Sequence, residues 1–178
     1  ARCHDHKYDP ISQHDYFAFQ SFFASSMFKE MPIEKNKQKL QIKDYLLDHK
    51  TRADHATFFE RGELDSPVGR VRPRLPDYFL NGTTPVGKAD DHKSRRLKVA
   101  NWIVSNKNTL TARVIANRVW QWHFGEALVA TPNDFGIAGE KPSHPELLDY
   151  LATHLIDNDW SLKTLHFHIM SSSTYRMS

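Results

Sequence analysis

The chain of 178 residues holds a single cysteine, Cys3. No disulfide can close within it, and a four-cysteine zinc cage is excluded. No run of eighteen apolar residues occurs, so no segment reads as a membrane-spanning helix. The motifs of common nucleotide and hydrolase sites are missing too: there is no G-x-G-x-x-G, P-loop, G-x-S-x-G or H-E-x-x-H. Glycine is sparse, at seven residues, and four of those fall between positions 62 and 87 beside four prolines. Charge of one sign is scarce as well. The net charge is +3, from 24 basic and 21 acidic residues. Arg95, Arg96 and Lys98 are too few to line a nucleic-acid groove, so no nucleic-acid partner is expected.

What the chain does have is aromatic and histidine content, 12% and eleven residues. In "QHDYFAFQSFFASSMF" Tyr16, Phe19, Phe23 and Met27 recur at helical spacing behind Ser12, a good N-cap. The spacing predicts one helix with an aromatic stripe turned inward. The Lys- and Gln-rich stretch 32–57 reads as an exposed helix or part of an insertion. "ATFFERGE" is a short strand, and the Pro- and Gly-rich residues that follow read as loop or linker, with a domain boundary near 80–92.

Four helices are predicted beyond it. "SRRLKVANWIVSN" starts at Ser94 and turns Leu97, Ala100 and Val104 to one side. The next, ended by Gly125, groups Ala112, Ile115, Val119 and Trp122. "HPELLDYLATHLIDND" has Pro145 in its first turn and Leu147, Leu148, Leu151 and Leu155 as its stripe. "SLKTLHFHIMSSS" is capped by Ser161, with Leu162, Leu165 and Ile169 inward. The expected fold is mainly α, a helical bundle with one or two short strands in the Pro/Gly-rich linker. Residues 1–80 and 94–178 are expected to form separate domains.

Two residue sets carry candidate chemistry. With one more cysteine ahead of Ala1 the opening string would read C-A-R-C-H, a C-x-x-C-H haem-attachment motif in which Cys3 is the second thiol and His4 the axial imidazole. Cys3, His4, His6 and Asp9 also make a compact ligand set for zinc or another transition metal. A third reading is structural, with His6 and Asp9 stapling the loop to the helix after it. The second set is polar. Arg113 and Asn117 share a face of one helix, flanked by Arg118 and His123, and Asn133 and Asp134 follow in "ATPNDFG". Asp134 is expected to accept from Arg113 or Arg118, locking helices to loop. The alternative is a hydrolytic cleft for a glycan or an anion, with Asp134, His144 and Glu146 as acid/base groups.

"ARCHDHKYDPISQHDY" resembles the end of one domain of the planctomycete-type cytochrome-associated proteins. "LTARVIANRVWQWHFGEALVATPNDFGIAGEKPSHPELLDYLATHLIDNDWSLKTLHFHIMSSSTYRMS" resembles the start of the next domain in the same proteins, and "FFERGELDSPVGRVRP" resembles the strand between them. These paired PSCyt- and PSD-type domains are of unknown function. Tyr8 stands where the family usually has Phe, and Ala116 where Val is common. The resemblance implies an internal piece of a larger, extracytoplasmic protein, whose partners are the rest of the parent chain and a cytochrome domain. It also implies a cysteine ahead of Ala1, which would complete a haem c motif, and a non-catalytic role.

Overall fold

The computed structural model describes residues 1–35, 38–48, 55–76, 78 and 92–177. Its contacts divide the chain into two units, residues 1–100 and 101–178. Helices dominate, and the fold is mainly α. Strands are nonetheless more numerous than expected, forming two separate antiparallel hairpins.

In the first unit, an irregular loop over residues 1–11 leads into α1 (Gln13–Gln20). A capping box starts this helix. The Ser12 hydroxyl accepts from the Asp15 backbone N–H, and the Asp15 carboxylate accepts from the Ser12 N–H at 3.0 Å. The helix is shorter than the aromatic spacing suggests, tightening into a 3₁₀ turn at Ser21–Phe23 before β1 begins at Ser26. Its inward face also differs from the expected stripe. Phe17, Ala18, Ser21 and Phe22 are buried, whereas Tyr16 and Phe23 are exposed.

What sets that phase is the hairpin of β3 (Ala56–Phe59) and β4 (Pro67–Val71). Phe17 packs edge-on against Phe58, at 5.4 Å between centroids. The buried Ser21 hydroxyl accepts from the Ala56 N–H at 2.8 Å and also contacts the Val71 carbonyl. Had Tyr16 faced inward, these strand-end groups would lack a partner. β4 falls where a linker was expected. The turn between the strands runs through Arg61 and Gly62, both at positive φ. The expected boundary at 80–92 lies almost wholly outside the described residues.

β1 (Ser26–Lys35) and β2 (Gln38–Asp48) replace the helix expected over 32–57. Residues 49–54 of that stretch lie outside the described residues. The reason is a period of two hidden among helix-forming Lys and Gln residues. Met31 and Ile33 stand on either side of Pro32, which disfavours a helix interior, Leu40 and Ile42 alternate with polar neighbours, and the register pairs Met31 with Ile42 and Ile33 with Leu40.

α2 (His92–Ile103) begins before Ser94, which therefore lies inside the helix rather than capping it. Among its described side chains Arg95 and Val99 are buried, whereas Leu97 and Ala100, and Val104 just past its end, are exposed.

The second unit is built on α3 (Thr109–Phe124), α4 (Pro145–Asp157) and α5 (Leu162–Ser171), with a short α6 (Ser173–Arg176). Asn108 caps α3, and Gly125, at φ 82°, ends it. Ser161 caps α5. The core is aliphatic: Ala112, Ala116 and Val119 from α3, Leu148, Leu151 and Leu155 from α4, and Leu165 and Ile169 from α5. Each large side chain contributes about 2 kcal/mol by leaving water. Two expected core members are instead exposed, Trp122 and Leu162.

Candidate functional site

The opening loop is pinned at its base and open at its tip. Gln13 donates through its side-chain amide to the Arg2 carbonyl at 2.7 Å and to the Phe59 carbonyl at 2.9 Å. Its backbone N–H donates to the Asp5 carboxylate at 2.7 Å. Loop, helix start and β3 are thereby held together through one glutamine. A Cβ on Gly62 would lie 3.0 Å from Cys3 Sγ, so the β3–β4 turn passes directly under the thiol. Cys3 is a free, exposed thiol, and His4 is exposed beside it.

Hydrogen bonding separates the two loop histidines. His4 Nδ1 lies 2.6 Å from the Asp5 carbonyl, which can only accept. That nitrogen therefore carries the hydrogen, and the lone pair sits on Nε2. Ligating imidazoles are commonly oriented in this manner, with the far N–H held by a backbone carbonyl. His6 is arranged the opposite way. Its Nδ1 accepts from the Asp9 backbone N–H at 3.0 Å, so the hydrogen of the neutral ring sits on Nε2. Protonated, His6 would instead face the Asp9 carboxylate, 3.3 Å from Nδ1. In neither state does His6 offer a lone pair outward. Among the described residues no three His, Cys, Asp or Glu groups converge as a metal-ligand set. Asp5 and Gln13 staple the loop to the start of α1, and the His6 N–H and Asp9 carbonyl bond Ile11 just ahead of it.

The polar set of the second unit is rearranged from the sequence expectation. Asn117 is its anchor. It is fully buried, accepts the Val129 N–H at 2.8 Å and donates to the Val129 carbonyl at 3.1 Å. Arg118 donates to the Asn133 side chain at 2.8 Å. Arg113 pairs with Asp149 of α4, at 2.9 Å, and not with Asp134. The Asp134 carboxylate instead accepts the Gly136 N–H at 2.9 Å and closes its own turn. Thr131 crosslinks that turn, donating to the Asp134 carbonyl and accepting the Glu140 N–H.

His144 is the exposed residue before α4, with Nδ1 3.1 Å from its neighbour Ser143 Oγ, and Glu146 is exposed in the first turn. No contact joins Asp134 to His144 among the described residues. The groove between α3 and α4, about 260 Å³, is lined instead by Thr109, Arg113, Asp149 and Ile156 with their neighbours.

Sequence reasoning overlooked the pairing of histidines. His123 of α3 and His166 of α5 lie 2.8 Å apart, nitrogen to nitrogen. Burial, and then the neighbouring His166, hold the His123 imidazole below its ordinary value. The signal available was the spacing in "LHFH", which sends His166 and His168 to opposite flanks of one helix.

No helix among the described residues is long and apolar enough to cross a membrane. Residues 95–178 match the family model PSD1, described as a protein of unknown function (DUF1553). Residues 1–28 match PSCyt2, likewise a protein of unknown function (DUF1549). No curated protein and no solved structure matches the chain.

Proposed function

We propose that this chain, which carries the PSCyt2 and PSD1 pair of cytochrome-associated domains, is a non-catalytic module of an extracytoplasmic protein. On this reading its opening loop presents one thiol and one imidazole to haem. The observation that supports this reading is the His4 tautomer. With Nδ1–H committed to the Asp5 carbonyl, the Nε2 lone pair is left for iron. Cys3 is exposed in the adjacent position, as a thiol must be to add to a porphyrin vinyl group. Haem held there would supply one-electron transfer. One thiol makes one thioether, and the second would come from the cysteine that precedes the Ala-Arg-Cys-His string in the resembling proteins. The His6 geometry favours haem over a tetrahedral zinc site, because zinc needs further ligands that the loop withholds. The protein's own work is to fix the loop: Gln13 and Asp5 hold its base while the ligand atoms stay open.

The test is a pyridine haemochrome assay on the full-length parent protein, produced with c-type haem maturation. Covalently held haem that resists acid–acetone extraction is expected, and Cys3→Ser should lower its amount per chain. His4→Ala should keep attached haem but change its axial-ligand spectrum. Wild-type protein without haem, or equal haem in Cys3→Ser, overturns the reading.

A further inference from the structure

Two histidine pairs grip α5 from opposite sides. His166 turns toward α3, where its Nδ1 lies 2.8 Å from Nε2 of His123, with the ring planes 68° apart. His168 turns toward α4. Its ring stacks on His154 with centroids 4.2 Å apart and planes at 27°. Its Nε2 lies 3.0 Å from the Tyr150 hydroxyl. α6 follows α5 directly, and its Tyr175 meets His123 edge-on at 5.4 Å and Phe124 at 5.6 Å.

Each pair tolerates few protons. A hydrogen bond between two imidazole nitrogens needs one donor and one acceptor. The neutral His123–His166 pair meets that need, and so does the singly protonated one. With both rings protonated, two N–H groups oppose each other across 2.8 Å and two cations adjoin. In the stacked pair, His154 Nδ1 faces the amide nitrogen of Asn158, a donor, at 3.5 Å. Its hydrogen therefore sits on Nε2, which is buried without a hydrogen-bond partner. Protonating His154 would set donor against donor and place a cation 4.2 Å from the His168 ring.

We propose that α5 and α6 form a proton-operated strap, closed on α3 and α4 while the His123–His166 pair is not doubly protonated and released when both of its rings take a proton. The titratable groups facing the four rings are the paired histidines themselves, Tyr150 of α4 and Tyr175 of α6. Among the described residues no ion pair joins any of the four rings to a carboxylate. The direction of the His123 shift agrees with this. Its folded-state value lies below the unfolded one, near 6.5. The stabilisation is therefore present above about pH 6.5 and is lost as pH falls through the folded-state value. Release would remove Tyr175 from Phe124 and bare the Trp120–Phe124 stack, whose centroids are 4.1 Å apart.

The test is amide hydrogen exchange on the full chain at about pH 7.5 and about pH 5, corrected for intrinsic rates, in wild type and in His123→Gln/His166→Gln. Protection over residues 162–177 should fall about tenfold or more in wild type and less than about threefold in the double variant. Leu148–Leu155 should stay protected in both. Equal losses in the two proteins, a loss spread evenly over α3 to α6, or no loss overturns the proposal. Should the double variant not fold, ring-proton titration of wild-type His123 and His166 decides it. Two coupled steps support the strap, and two independent ordinary titrations overturn it.

Discussion

Asn117 joins α3 to the segment at Val129 through two hydrogen bonds in a region with no access to water. The side chain is fully buried, and Val129 is 2% exposed. Asn117→Ala removes both partners at once, leaving a backbone N–H and a carbonyl orphaned. Each buried orphan costs about 1–3 kcal/mol, so the pair should cost about 2–5 kcal/mol. That is a large share of the roughly 5–15 kcal/mol by which a domain is stable. For a unit of this size it corresponds to a fall in Tm of about 10–30 °C.

Asn117→Asp separates the two bonds. The carboxylate can still accept from the Val129 N–H but opposes the carbonyl with lone pairs, and its charge is buried. It should be at least as damaging as Ala near neutral pH and partly recover on acidification, when the protonated acid regains a donor. Urea unfolding followed by tryptophan fluorescence, with Asn133→Ala as a surface control, measures these differences. Asn133 is exposed and bonded to Arg118, and its loss should cost no more than about 0.5 kcal/mol. If Asn117→Ala and the control lie within about 0.5 kcal/mol of each other, the orphaned-backbone argument fails.

Two glycines give further checks. Gly139→Ala would set a Cβ 2.2 Å from the Asp134 carbonyl oxygen, so the 131–143 loop must shift. A stability loss of about 1–3 kcal/mol and faster proteolysis within the loop are expected. A neutral result would show that the Asp134 turn is loosely held. Gly62→Ala combines a left-handed φ of 74° with a 3.0 Å approach to Cys3 Sγ, and should cost about 1–2 kcal/mol by thermal melting. It should also slow alkylation of Cys3, and an unchanged rate would separate the turn from the thiol.

The aliphatic helices were legible because their signals agree. In α4, Pro145 opens the helix, and Leu148, Leu151 and Leu155 permit only one phase. The Ser161 and Gly125 caps follow from local chemistry alone. α1 was not legible to the same degree. Phe17, Phe19, Phe22 and Phe23 crowd the segment, so several phases satisfy a helical period. The choice falls to Ser21, through the Ala56 and Val71 backbone groups 35 and 50 residues away. Arg113 has the same difficulty, since its partner Asp149 is 36 positions distant while Asp134 offers a nearer carboxylate. In β1 and β2 the alternation of Met31 with Ile33 across Pro32, and of Leu40 with Ile42 across Gln41, was masked by the helix-forming Glu, Lys and Gln residues around them.

The loop histidines show where composition stops being informative. His4 and His6 are two residues apart, both exposed, and flank the same aspartate, so residue type gives no ground to prefer either as a ligand. The backbone decides it. A carbonyl facing His4 Nδ1 frees the other nitrogen's lone pair, and an N–H facing His6 Nδ1 withdraws it. On the proposed reading, the consequence reaches the choice of cofactor. One competent imidazole beside one thiol suits an axial haem ligand, whereas a tetrahedral metal would require His6 to break the Asp9 N–H bond before it could bind. On the proposed haem reading, it is the turn at Asp9 that leaves His4 as the imidazole able to bind.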